Sequence, residues 1–186
     1  MTDGTDVDSG AESGSDIPGQ KFYGKYRGVV INNIDPMQIG RIQVSVPDVA
    51  NAIPTSWAMP CAPVGGLQMG IVAVPPIGAG VWIEFEQGDP DYPIWVGCFW
   101  GMAAEVPMLS HLAPPAIPTI ALQTTLQNGI AITDLPGPTG GIVLKSATGA
   151  MLIVNDTGIY IQNGKGASIV MVGPSVTINA GALTVI

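Results

Sequence analysis

Four acids lie close together in this chain: Glu84, Glu86, Asp89 and Asp91. A pair of carboxylates flanking a glycosidic bond is what sugar hydrolysis requires. Glu84 and Glu86, however, alternate with Ile83 and Phe85, and Gly88-Asp89-Pro90-Asp91 is turn chemistry. A solvated strand face and turn caps account for all four. Nucleophilic catalysis would have to be built around the one histidine, His111. Its neighbours Leu109, Ser110 and Leu112 read as spacer residues instead. A zinc site needs three or four ligands, and one His with two separated Cys does not supply them. Cys61 and Cys98 have neither metal nor redox spacing and read as free, buried thiols.

Two glycine-rich stretches resemble nucleotide loops only in part. Gly164-Lys165-Gly166-Ala167-Ser168 lacks Ser or Thr straight after the lysine, and no helical pattern follows it. Gly78-Ala79-Gly80 holds a fragment of a dinucleotide fingerprint, again with no helix behind it. The four tryptophans, Trp57, Trp82, Trp95 and Trp100, could stack on sugars, but packing is the plainer role for them. No catalytic residue, cofactor site or metal site is therefore expected.

The bulk composition points elsewhere. Of 186 residues, only 11% are charged while 47% are hydrophobic, and the net charge is −8. Soluble monomers usually carry about a quarter charged residues. The most apolar runs, such as residues 70–83, are interrupted by Gly and Pro and fall short of the roughly 18 residues a spanning helix needs. A surface spent on protein partners is the better reading. Lys21, Lys25, Arg27 and Arg41 form the one basic grouping, too small for a nucleic-acid footprint. The acidic, polar N-terminus lacks a leader pattern, which predicts synthesis in the cytoplasm without a signal peptide.

Four segments follow in order. Residues 1–20 read as an acidic flexible tail, rich in Gly and Ser. Residues 21–100 read as a small all-β barrel. Within it, Ile42, Val44 and Val46 alternate with Arg41, Gln43 and Ser45, and Val81, Ile83 and Phe85 alternate with Trp82, Glu84 and Glu86. Residues 70–74 suggest a further short strand, and closure would remove exposed strand edges. Residues 101–138 read as a Pro-rich spacer with a hairpin turning at Asn128-Gly129.

In residues 139–186, short apolar runs begin at Ile142, Met151, Ile159, Ile169, Val176 and Leu183, separated mostly by Gly-containing turns. Strands of three to five residues joined by tight turns are written this way. A lone ribbon of such strands is marginal in water, and the segment stays apolar to Ile186. Completion by other chains is expected; a small sandwich packed on the rest of the protein is the alternative.

Two motifs resemble a known family. Gly40-Arg41-Ile42-Gln43-Val44-Ser45-Val46-Pro47 is similar to the GR-x-x-V-x-x-P strand of the phage baseplate assembly protein V and type VI VgrG spike families. Residues 76–90, P-x-G-x-x-V-x-x-x-F-x-x-G-D-P in pattern, followed by Pro93-Ile94-Trp95-Val96-Gly97, resemble their most diagnostic run. Gly141 to Ser146, with Gly149, Asp156, Thr157 and Gly158, is similar to the start of their shaft. The likeness covers residues 22–186 and is strongest to spikes of extracellular contractile injection systems.

The resemblance implies an all-β protein: a small OB-fold barrel followed by a trimeric, intertwined β-helix or β-prism shaft. It implies a structural homotrimer on the baseplate axis, driven through the target envelope, and meeting it, only on firing. Some relatives carry a lysozyme domain between barrel and shaft, for which the spacer here is too short. A separate baseplate hub protein would sit above, a PAAR-like tip protein at the C-terminal end, and effector cargo is possible. Three chains wound together would share an interior of Ile142, Leu144, Ile153, Ile159, Ile161, Met171, Val176, Ile178, Leu183 and Val185, with Tyr160, Thr177 and Thr184 turned outward. Leu183, Thr184, Val185 and Ile186 would form the tip-docking end. The alternative function is an OB-fold binding module for an oligosaccharide or an effector.

Overall fold

A computed structural model describes residues 19–50 and 54–185. Most of the flexible tail, and Ile186 of the tip-docking end, lie outside the described residues. The chain divides between Gly101 and Met102 into two compact units.

The first unit is built on five strands: β1 (Tyr26–Asn32), β2 (Gln43–Ser45), β3 (Met59–Pro60), β6 (Gly80–Phe85) and β7 (Pro93–Phe99). Their order is β2-β1-β6-β7-β3. Beside β3, Ala58 and Ile42 exchange backbone hydrogen bonds of 2.8 and 3.2 Å, which returns the last strand to β2 and closes the ring. The expected alternation holds. Val30, Ile42, Val44, Val46, Ala58, Val81, Ile83 and Phe85 are buried together inside the ring. Six of these come from runs in which every second residue is β-branched or aromatic, the pattern of a strand with one dry face.

The strand expected over residues 70–74 is absent. A small hairpin, β4 (Gly65–Gly66) and β5 (Met69–Gly70), stands there instead, and residues 71–74 are irregular and exposed. Its turn is Leu67-Gln68, with Gln68 in the left-handed region at φ 53. An apolar run is not sufficient for a strand when no neighbour pairs with it.

The second unit is one eight-stranded antiparallel sheet in strict chain order. Its strands are β8 (Thr119–Gln123), β9 (Gly129–Thr133), β10 (Gly141–Lys145), β11 (Met151–Asn155), β12 (Gly158–Gln162), β13 (Ser168–Val172), β14 (Ser175–Ile178) and β15 (Leu183–Val185). The sheet therefore takes in the β8–β9 hairpin, which the sequence pattern assigns to the spacer. Side-chain bonds from the turns set the meander. Asn155 Oδ1 accepts from the N–H groups of Thr157 and Gly158. Asn163 Oδ1 accepts from those of Lys165 and Ala167. The Asp156 carboxylate accepts from Gly137 N–H at 3.0 Å, which pins the lead-in to the β11–β12 turn and lowers the Asp156 pKa.

The hairpin turn is not Asn128-Gly129. Thr124 N–H donates to Asn128 O and Gln127 N–H to Thr124 O, with Gln127 left-handed at φ 66. This is a longer loop built on a turn followed by a left-handed residue. Gly129 serves packing: a Cβ there would lie 2.5 Å from the Leu122 carbonyl oxygen and 2.6 Å from Leu109 Cδ1.

Candidate functional site

The residues with chemical potential do not converge. Glu84 pairs with Lys25. Asp89 accepts from Asp91 N–H and from Lys21 Nζ, which together lower its pKa. His111 is exposed on a 3-10 turn, Met108–Leu112. The amides of the Gly164-Lys165 loop are turned onto Asn163 rather than outward to a phosphate. Cys61 and Cys98 are free as expected, but both are exposed rather than buried. Among the described residues no group of three or more His, Cys, Asp or Glu could hold a metal, and no helix is long and apolar enough to cross a membrane.

Three tryptophans are committed to the barrel itself. Trp82 packs on Phe99 with ring centroids 5.0 Å apart, and the Arg27 guanidinium lies over both rings. Trp95 Nε1 donates to Gly40 O at 3.1 Å. Trp57 lies under Arg41. Trp100 alone is well exposed.

The motif arginine has a structural role. Arg41 donates from Nε and Nη2 to Asp35 Oδ1 at 3.0 and 2.7 Å. The same carboxylate accepts from the N–H groups of Met37, Ile39 and Arg41. The Asp35 side chain is only 4% exposed. The Arg41 guanidinium and the three backbone donors hold its carboxyl well below the usual carboxylate range, against the opposing effect of burial. This acid organises the whole β1–β2 connection. Its signal was the turn sequence Asn33-Ile34-Asp35-Pro36 six residues ahead of Arg41.

What the chain does assemble is an apolar face. Cross-strand neighbours point to the same side of a sheet. One row therefore runs Ile120, Ile132, Ile142, Val154, Ile159, Met171 and Val176, with Val185 at the next register position. The second runs Leu122, Ile130, Leu144, Leu152, Ile161, Ile169, Ile178 and Leu183. Every position in both rows is Ile, Leu, Val or Met. None of the described side chains in either row is buried, and Leu122 is 67% exposed.

The opposite face differs in kind. Its central row is Ala121, Ala131, Val143, Ile153, Tyr160, Val170, Thr177 and the Thr184 position. Leu109, from the 3-10 turn, covers its start and forms a small core with Ala131 and Val143. Gln123 Oε1 anchors that turn by accepting from Leu109 N–H at 2.9 Å. So the supposed spacer is packed on the sheet rather than strung beside it.

Nine of the ten residues expected in a shared interior occupy the two apolar rows, Val185 by register alone. Ile153 does not. It stands opposite Val143 and packs against the Leu109 cluster. The run Met151-Leu152-Ile153-Val154 is apolar at every position, so alternation could not choose its inner face. The turn 146–150 chooses it, through Ala150 N–H donating to Ser146 Oγ and Ser146 N–H donating to Ala150 O. Ile120, Leu122, Ile130, Ile132, Leu152, Val154 and Ile169 join the face and were missed. The first four carry a plain alternation signal, obscured by assigning the hairpin to a spacer.

Two family models match consecutive parts of this chain. Residues 26–100 match the type VI secretion system/phage-baseplate injector OB domain. Residues 119–184 match the phage baseplate V C-terminal trimerisation domain. No curated protein matches the chain.

Proposed function

This chain belongs to the phage baseplate V and VgrG-like spike family, and on that premise we propose that it is the central spike of a contractile injection system or phage tail, organising the baseplate hub and piercing the target envelope. As a spike-type structural baseplate protein it trimerises through its second unit. The observation that carries the proposal is the apolar face of that unit, two rows wide across all eight strands. Water is a poor neighbour for such a face, and fully burying one Leu or Ile is worth roughly 1.5–3 kcal/mol.

Three copies resolve the problem by turning their apolar faces to a common axis. Each chain then supplies one wall of a prism, because every strand pairs with its own sequence neighbours. With strands about 4.8 Å apart, eight of them make a wall some 34 Å tall. The strands lie across the axis, so axial load is spread over the backbone ladders of three walls. Resistance of that kind is kinetic as much as thermodynamic.

The barrel is the part that meets a hub protein in this reading. A PAAR-like tip protein would seat against the β15 end, where Leu183 is exposed; effector cargo would travel with the tip. The particle, phage tail or injection machine, is where the protein works.

Light scattering and electron microscopy of the purified chain test the proposal. A three-fold needle is the expected result; a well-folded monomer of about the chain mass, 19.1 kDa, would overturn it. Particles assembled without this chain should also fail to breach target envelopes.

A further inference from the structure

Arg27 differs from the other cations of the barrel. Lys21, Lys25 and Arg41 each meet a carboxylate, those of Asp89, Glu84 and Asp35. Among the described residues Arg27 meets none. It is exposed on the outer side of β1, and its guanidinium lies 5.2 Å from the Trp82 ring centroid and 5.1 Å from that of Phe99. Ring faces attract the charge, but they supply no oxygen to the N–H fork of the guanidinium.

The sheet builds this platform. Arg27 stands opposite Trp82 and Val29 opposite Gly80; on the other side of β6, Gly80 stands opposite Phe99. Gly80 makes the construction possible. A Cβ there would lie 2.7 Å from the Phe99 ring, so the ring rests on bare backbone. Val29 and Ile31 continue the row of Arg27 along β1, and both are exposed. The result is a cation held over two rings at one end of an apolar strip. Such a surface fits an acidic segment that also carries an apolar residue. A carboxylate takes the fork in two parallel bonds, and the strip takes the apolar side chain.

We infer that the occupant is the chain's own N-terminal segment, with Asp6-Val7-Asp8 at the platform. Residues 1–18 precede the described part of the chain. They carry Asp3, Asp6, Asp8, Glu12 and Asp16, and no base occurs before Lys21. Asp6-Val7-Asp8 sets a β-branched residue between two acids. Charge and composition therefore match the platform, and so does reach. The chain from Asp8 to Gly19 spans up to about 36 Å, whereas that from Gly19 to Arg27 separates its ends by at most about 29 Å. Tethering on this scale gives a local concentration of millimolar order, which fills a contact that would be weak between separate molecules. The contact does not depend on the trimer or on the spike reading.

The test uses the full-length chain in a Cys61→Ser, Cys98→Ser background, with Ser9→Cys carrying bimane, a fluorophore that tryptophan quenches on contact. Its emission is compared with that of the same chain bearing Trp82→Phe, after melting curves show that both are folded. A contact of millimolar strength is half filled at a millimolar local concentration, so emission should be about twofold lower with Trp82 present. Asp6→Asn combined with Asp8→Asn leaves every described residue as it is and should restore the emission. Raising salt to about 1 M, which shortens the screening length to about 3 Å, should do the same. Equal emission with and without Trp82 would overturn the inference, as would quenching indifferent to both acids and to salt. A last arm assembles labelled Trp82→Phe chains with an excess of unlabelled chains that keep Trp82. Emission that stays high supports docking within one chain; emission that falls places the segment on a neighbouring copy and overturns docking on its own barrel.

Discussion

Ile153 stands directly opposite Val143 across β10 and β11, on the face that Leu109 covers, while Ile142 and Val154 beside them point to the uncovered face. The two sides of one sheet thus have separate tasks. One is covered at its start by the chain's own 3-10 turn; the other is uncovered in the single chain and, in the proposed trimer, faces neighbouring copies.

That division predicts opposite outcomes for neighbouring substitutions. Leu144→Asp places a charge in the proposed shared interior and should abolish the trimer in light scattering, since an unpaired buried charge costs several kcal/mol. Tyr160→Ser alters the other face and should leave the trimer mass unchanged. A trimer that survives Leu144→Asp would mean the apolar rows are not its interior.

The inner closure is testable through Leu109. Truncating it to Ala removes the main buried side chain over Ala131 and Val143. A cost of about 2–5 kcal/mol is expected for such a cavity, seen as a lower denaturation midpoint. The fall should come from the second unit alone.

Gly129→Ala should also destabilise, by about 1–3 kcal/mol for overpacking. Its Cβ has no room between the Leu122 carbonyl and Leu109. Combining it with Leu109→Ala should cost less than the two changes added, because truncating Leu109 makes room for the new methyl group, which in turn fills part of the cavity. Strict additivity in a denaturation cycle would contradict that geometry.

The barrel should be acid-sensitive through Asp35. Its folded pKa is lowered, chiefly by Arg41. The stabilisation is therefore full above about pH 4, the range of an unfolded aspartate, and is lost as pH falls toward the lower folded value. Asp35→Asn should lower the melting temperature at pH 7 and flatten its decline between pH 4 and pH 2. An unchanged acid limb in that variant would assign the sensitivity to other carboxylates.

Arg41→Lys keeps the charge but loses the fork that bonds Asp35 Oδ1 twice and the flat surface over Trp57. A lower melting temperature for the barrel is expected at neutral pH, with no change in trimer mass.

The all-β character, the barrel core and the apolar repeat were legible in the chain because each rests on local alternation. Ile42, Val44 and Val46, and Val81, Ile83 and Phe85, declare their inner face by the polar residues between them. Where every residue of a run is apolar, as at 151–154, alternation is silent and the turn before it decides which side faces in. The hairpin β8–β9 looked like part of a spacer because nothing local records that its edge continues into β10. Asp35 looked like a turn residue because its five donors arrive from across a loop. Residue order determined most of the segments that form strands, with 70–74 the exception, and the apolar character of the repeat. Only the pairing of strands decided which side of each was left uncovered, since a one-residue difference in a turn moves a strand's whole side-chain set to the other face.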